Sequence, residues 1–196
     1  MDEYFYPRLG REFSRYSDEE HQFAGIDVSV GKARFDEKLK VRGCLNQAYG
    51  WPSFEVSFVN RAGEVQNGWF ASPLSTDYYA FIGVYSYGTD ENAISDSNAI
   101  SACNVLWVRK QDVVDAVERL TGFRKMKKDA AELREDPFVD SEGKGRVRYP
   151  HRKFWLTFSS RLAEQPVNLV FPRDELRRLP HTRCFVITRD GVKKEG

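Results

Sequence analysis

Short runs of alternating apolar and polar residues dominate the first half of the chain. SFEVSFVN, residues Ser53–Asn60, is the clearest: Phe54, Val56 and Phe58 share one side, Glu55 and Ser57 the other. A period of two is the signature of a half-buried strand. Gly25–Val30 and Ala33–Arg42 read as strands flanking Gly31-Lys32, a two-residue turn of the kind that closes hairpins. Arg61-Ala62-Gly63 marks another turn, with strands expected at Val65–Ser72 and Thr76–Tyr87. The last of these is rich in aromatic and β-branched residues, which suit a central strand. The pattern reads as a meander within one sheet.

Before the hairpin, Ser17 followed by Asp18, Glu19 and Glu20 predicts a helix N-terminus, because acids in the first turn favour the helix dipole. Asp90–Asn98 is polar and turn-rich, hence a loop, and Ala102–Val108 is an apolar strand. Gln111–Leu120 places Val113, Val114, Val117 and Leu120 on one helical face, and Lys125–Glu135 continues as a second helix. Asp136–Lys153, with two prolines, two glycines and many basic residues, predicts a mobile loop. Strands at Phe154–Phe158, Val167–Phe171 and Arg183–Thr188, with a helix at Arg173–Leu179, complete the reading. NVLWVRKQDVVDAVERL and VNLVFPRDELRRL both read as an apolar strand, a basic residue and a helix, a common βα unit rather than a repeat. The fold class is therefore α+β, a mixed and mostly antiparallel central sheet with flanking helices. It forms a single domain over 1–196, with a core at about 17–122 and a C-terminal βα extension at about 123–196.

Composition narrows the class. The chain of 196 residues is 41% hydrophobic and 30% charged with a net charge of +1, so it is globular, and no global field draws it to a polyanion. Nucleic-acid contact would need a local basic patch. The cysteines Cys44, Cys103 and Cys184 have neither the number nor the spacing of a disulfide framework or structural zinc site. No apolar leader or run of about 20 apolar residues is visible, so a cytoplasmic protein away from membranes is expected.

The hairpin GIDVSVGKARFDEKLK carries the candidate chemistry. With Gly31-Lys32 as the turn, Val30 pairs with Ala33 and Asp27 falls opposite Asp36. Lys38, two residues on, points to the same face, and Glu37 points to the other with Phe35 and Leu39. Directly opposed carboxylates lie roughly 4.5–5.5 Å apart at Cβ and repel. A divalent cation relieves that repulsion, and Mg²⁺ is served by one or two carboxylates with room for phosphate oxygens. A neighbouring lysine can orient an attacking water or stabilise developing charge.

Asp27 followed by Asp36-x-Lys38 on the partner strand resembles the signature of the PD-(D/E)xK nuclease-like superfamily, over about residues 17–120. The wider pattern, QFAGIDV, FDEK, SFEVSF, GWF and TDYYAFI, is similar to a little-studied bacterial and phage branch of it. The resemblance implies a restriction-endonuclease-like core and hydrolysis of a nucleic-acid phosphodiester, with DNA as partner and a homodimer as a frequent assembly. It implies that Asp27 and Asp36 hold Mg²⁺ or Mn²⁺, with the Glu37 backbone carbonyl completing the shell, and that Lys38 assists the water. Glu20 or Glu19 would supply the acid of the leading helix, and Glu55 a third carboxylate if its strand neighbours Asp36. Ile26 stands where the superfamily pattern nominally has proline.

Other positions have plainer readings. Gln47 lies in a polar loop, and Asp77 is expected to cap a turn. Trp51, Trp69, Tyr78 and Tyr79 can stack on bases, but aromatics at this density on strands mostly build core. His21, His151 and His181 share no ligand spacing. Arg146, Arg148, Arg152 and Lys153, with Arg124, Lys125, Lys127 and Lys128, form the best local basic patch for a phosphate backbone. The reading from sequence is a Mg²⁺-dependent nuclease. The alternatives are a catalytically inactive module of the same fold that binds DNA or a partner protein, and a purely structural domain.

Overall fold

The computed structural model describes residues 1–2, 5–42, 52–86, 100–135 and 138–195. In chain order the elements are β1 (Phe13–Arg15), α1 (Glu19–Phe23), β2 (Val28–Val30), β3 (Ala33–Arg42), β4 (Ser53–Val59) and β5 (Val65–Asn67). There follow β6 (Tyr78–Ser86), β7 (Ile100–Arg109), α2 (Lys110–Leu120), α3 (Phe123–Glu135) and β8 (Lys144–Arg148). The chain ends with β9 (Trp155–Ser159), β10 (Val167–Val170), α4 (Arg173–Arg177), β11 (Arg183–Thr188) and β12 (Gly191–Glu195). The fold is α+β, with two mostly antiparallel sheets rather than the one expected. Gln47, Trp51, Cys44 and the Asp90–Asn98 loop lie outside the described residues.

The chain divides into two compact units, each assembled from separate stretches: 1–50, 75–112 and 176–196 in the first, 51–74 and 113–175 in the second. The first holds a seven-stranded sheet in the order β1-β2-β3-β6-β7-β11-β12. Its antiparallel run is broken once, where β3 and β6 pair in parallel. The expected meander fails here, because β4 and β5 leave for the other sheet and β6 takes the place beside β3. The residues expected as a C-terminal extension supply β11 and β12 to this sheet.

One face of the first sheet is a hydrophobic core of Val28, Val30, Phe35, Ala80, Ile82, Val105, Trp107, Phe185 and Ile187, all buried. The N-terminal turn lays Phe5 and Tyr6 over it, and Phe5 meets Trp107 and Phe185 edge-on with ring centroids 5.4 and 5.2 Å apart. Edge-to-face aromatic packing of this kind adds about 0.5–1.5 kcal/mol per pair beyond area burial. This order on one face leaves Asp36, Lys38 and Tyr79 together on the other, since alternate residues of a strand point to opposite sides.

The second unit holds the sheet β5-β4-β10-β9-β8. The alternation read in SFEVSFVN is realised in β4, where Phe54 and Val56 are buried. Leu156, Phe158, Val167 and Leu169 are buried as well, as are Met126, Ala130 and Leu133 of α3. The stretch expected as a mobile loop, 136–153, contains β8. Its alternation is hidden because the inward positions are Gly145 and Val147, and only one of these is apolar enough to show. A Cβ at Gly145 would approach Leu133 Cδ1 to 3.2 Å, so a larger residue there would make that side chain give by a few tenths of an ångström. At α1, Asp18 and not Ser17 is the cap, its Oδ1 accepting from the His21 N–H at 3.0 Å.

Candidate functional site

The hairpin forms with the expected register, Val30 opposite Ala33 and Val28 opposite Phe35. Gly31 has φ +59°, which suits the first central position of the tight turn. The ladder ends one pair short of Asp27. There the Asp27 N–H donates to the Phe35 carbonyl at 2.9 Å, and the Asp27 carbonyl accepts from Tyr16 N–H at 2.9 Å. The Asp27 side chain takes over where the backbone pairing stops: its Oδ2 accepts from the Glu37 N–H at 2.6 Å. Asp27 is thus fixed by strand ends on both sides, with its carboxyl turned toward β3.

Asp36 is 4% exposed. Its carboxyl lies within hydrogen-bonding reach of Asp27, and Lys38 Nζ sits 2.7 Å from its Oδ1. Burial pushes the Asp36 carboxyl up to about 6; the Lys38 charge opposes this and the Asp27 carboxyl adds to it. Tyr79 lies directly opposite Asp36 in the parallel pairing, and burial, then the Asp36 charge, push its phenol upward. Lys110, the first residue of α2, feels Asp36 too: burial draws its ammonium down and the Asp36 charge holds it up. Sequence reasoning missed Lys110, and it took Tyr79 only as an aromatic. The signal for both was the parallel pairing of β3 with β6, which no local pattern announces.

The other carboxylates are elsewhere. Glu37 points to the opposite face, bonded to the Tyr6 hydroxyl and to Arg15 Nη1 at 2.7 Å, while Arg15 Nε also holds Asp2 at 2.6 Å. Its side chain belongs to that network and not to the Asp27–Asp36 pair. Glu19 and Glu20 are exposed on α1. Glu55 is on β4, and the sheet neighbours of β3 are β2 and β6, so the strand adjacency that would bring Glu55 to Asp36 does not form. In its own unit the Glu55 charge acts on Arg134. Asp77 binds Arg34 in a two-pronged pair, Nη2 to Oδ1 at 2.9 Å and Nε to Oδ2 at 3.0 Å, rather than capping its own turn.

The remaining candidates separate. Tyr79 is fully buried, Tyr78 stacks on Phe35, and Trp69 packs on Phe54, so these aromatics build core. The histidines have separate partners: His21 with Asp18, His151 with Thr121, and His181 with Asp112 at 3.0 Å. In the basic patch, Lys153 is held by Glu175 at 3.0 Å, Lys125 by Asp129 at 2.7 Å, Lys127 by Asn67 at 3.0 Å and Lys128 by Glu132 at 3.4 Å. Arg146, Arg148 and Arg152 remain together, exposed, and Arg124 is exposed on α3.

A buried carboxyl, Asp36, holding its proton to unusually high pH beside the half-buried Asp27 is a donor set that suits a hard divalent cation, because a cation relieves the same repulsion that a proton does. Among the described residues no group of three His, Cys, Asp or Glu side chains converges. Water and substrate oxygens would therefore fill most of the shell, as Mg²⁺ prefers. No family model, curated protein or solved structure matches the chain. The resemblance to the nuclease superfamily accordingly rests on the hairpin residues themselves.

Proposed function

We propose that the protein is a metal-dependent nuclease of the PD-(D/E)xK kind, hydrolysing a nucleic-acid phosphodiester, with DNA as the substrate class that the resemblance carries. The observation behind this reading is the convergence of Asp27, Asp36 and Lys38 on one face, with Lys38 Nζ 2.7 Å from Asp36 Oδ1. The order of elements supports a restriction-endonuclease-like core: α1 precedes the β2–β3 hairpin, and β6 lies parallel beside it.

Asp27 and Asp36 would hold Mg²⁺ or Mn²⁺. When bound, such an ion acidifies a water and draws charge from the scissile phosphate. The chain's own groups do the rest. The Glu37 N–H fixes the Asp27 carboxylate so that it need not reorganise. Lys38 orients the attacking water and offsets charge as the phosphate approaches its transition state. Lys110 adds a second positive charge on the same carboxylate, which favours an anionic substrate. Membrane contact forms no part of the reading; no helix among the described residues is long and apolar enough to cross a membrane.

Calorimetric titration with Mn²⁺ or Mg²⁺, on the wild type and on Asp36→Ala, tests the proposal, with nicking assays on the same samples. Binding and cleavage are both expected in the wild type and both absent in the variant. One observation favours a second reading: Lys38 and Lys110 already place positive charge near Asp36 without any added ion. A wild type that takes up no divalent cation would identify an inactive module of this fold that binds DNA or a partner protein.

A further inference from the structure

The outer face of the second sheet carries an arginine trough. β8 and β9 pair with Arg146 opposite Thr157 and Arg148 opposite Trp155. Arg146 and Arg148 are two residues apart, so they project from the same face about 7 Å apart along the strand. The turn after β8 brings Arg152 to the same concavity, which Arg146, Arg148, Arg152, Trp155, Thr157 and Val170 line. All three arginines are exposed. Among the described residues none of the three makes a salt bridge, in contrast to the lysines of α3 and to Lys153.

The trough has further built features. Arg152 sits at φ 55°, a left-handed conformation that a side-chain-bearing residue adopts only under strain. Its N–H donates to the Tyr149 carbonyl at 3.0 Å, closing the turn that imposes this conformation. Glycine would satisfy the turn without strain, yet an arginine occupies it. The Arg146 guanidinium lies over the Trp155 ring, 5.9 Å from its centroid. Of the nearby acids, Asp140 accepts from the Glu142 and Lys144 N–H groups, both at 2.9 Å, and feels the Arg146 charge only as a lesser influence, while Glu175 holds Lys153. Glu55 is three strands across the same sheet, about 14 Å at ordinary strand spacing.

Guanidinium forks match phosphate oxygens in pairs, and an indole at the base of a cationic groove matches a base face. We propose that this trough binds single-stranded nucleic acid, with the phosphates on Arg146, Arg148 and Arg152 and a base against Trp155. A single strand fits better than a duplex because only unpaired bases offer a ring face to Trp155. The site stands independently of the Asp27–Asp36 chemistry.

The test is fluorescence anisotropy of a labelled oligothymidylate of about fifteen nucleotides, in EDTA so that no cleavage occurs. The wild type is expected to bind with an affinity that falls as salt rises. Arg146→Gln/Arg148→Gln is expected to bind about tenfold or more weakly, with the salt slope reduced by about 1.4, or about 0.7 for each phosphate that is no longer neutralised. Lys193→Gln, at an exposed position of β12, should bind as the wild type does. Arg152→Gly should weaken binding while raising the melting temperature, a combination that misfolding cannot produce. Absence of wild-type binding at low salt, or equal binding by the double variant, would overturn the proposal. Equally tight capture of duplex DNA or of phosphatidylserine vesicles through the same arginines would overturn it too. Because EDTA removes cleavage, a failure here leaves the nuclease reading standing, and absent cleavage with Mg²⁺ leaves this one standing.

Discussion

Asp36 has a folded-state pKa of about 6 against an ordinary 3.8, set first by burial. The folded protein therefore holds a proton between these values that the unfolded chain has released. Stability contributed by this proton is fully present below the unfolded value and is lost as pH rises through about 6. At 1.36 kcal/mol per pKa unit the loss amounts to about 3 kcal/mol across that interval. In metal-free buffer, urea unfolding should show stability falling from about pH 4 to pH 7. Asp36→Asn should flatten that dependence, since the amide neither titrates nor repels Asp27. An equally steep profile in the variant would place the titration elsewhere. Mg²⁺ should restore stability to the wild type at pH 7 and leave Asp36→Asn unmoved, because a ligand stabilises only the state that binds it.

At the scale of elements, the tight turn at Gly31-Lys32 fixes the face on which Asp36 and Lys38 project. That is why the placement of these two residues beside Asp27 could be read from sequence: the register of a two-residue hairpin is a short-range property. Lys110 and Tyr79 were beyond such reading, because their approach to Asp36 depends on β6 pairing with β3 across an excursion of the chain through β4 and β5. The trough was half legible. Its arginines stood out by charge, but Gly145 and Pro150 suggested a loop, and the strand that aligns Arg146 with Arg148 depends on β9. Close packing sets another prediction for β4 and β5. A Cβ on Gly68 would lie 2.4 Å from the Glu55 backbone oxygen, which cannot swing aside as a side chain would. Gly68→Ala should cost about 1–3 kcal/mol, as overpacking does, measured by denaturant unfolding. A change within experimental scatter would show that the β4–β5 corner yields freely.

For the whole molecule, the first sheet draws on residues near both ends of the chain. A fragment of residues 1–122 contains the whole hairpin and α2, yet it lacks β11 and β12. It would leave the edge of β7 unpaired and remove Phe185 and Ile187 from the buried cluster. Such a fragment should show no cooperative thermal transition and should associate in sedimentation experiments; a folded monomer would mean that the core is self-sufficient without its last strands. The same strand order has a consequence for synthesis on the ribosome. The carboxylates of the hairpin emerge well before β11 and β12, which complete the sheet beneath them on the order of ten seconds later at about 5–20 residues per second. Until β11 and β12 have followed, the hairpin stands on an unfinished sheet, and any chemistry of its carboxylates waits on strands that lie far from it in sequence.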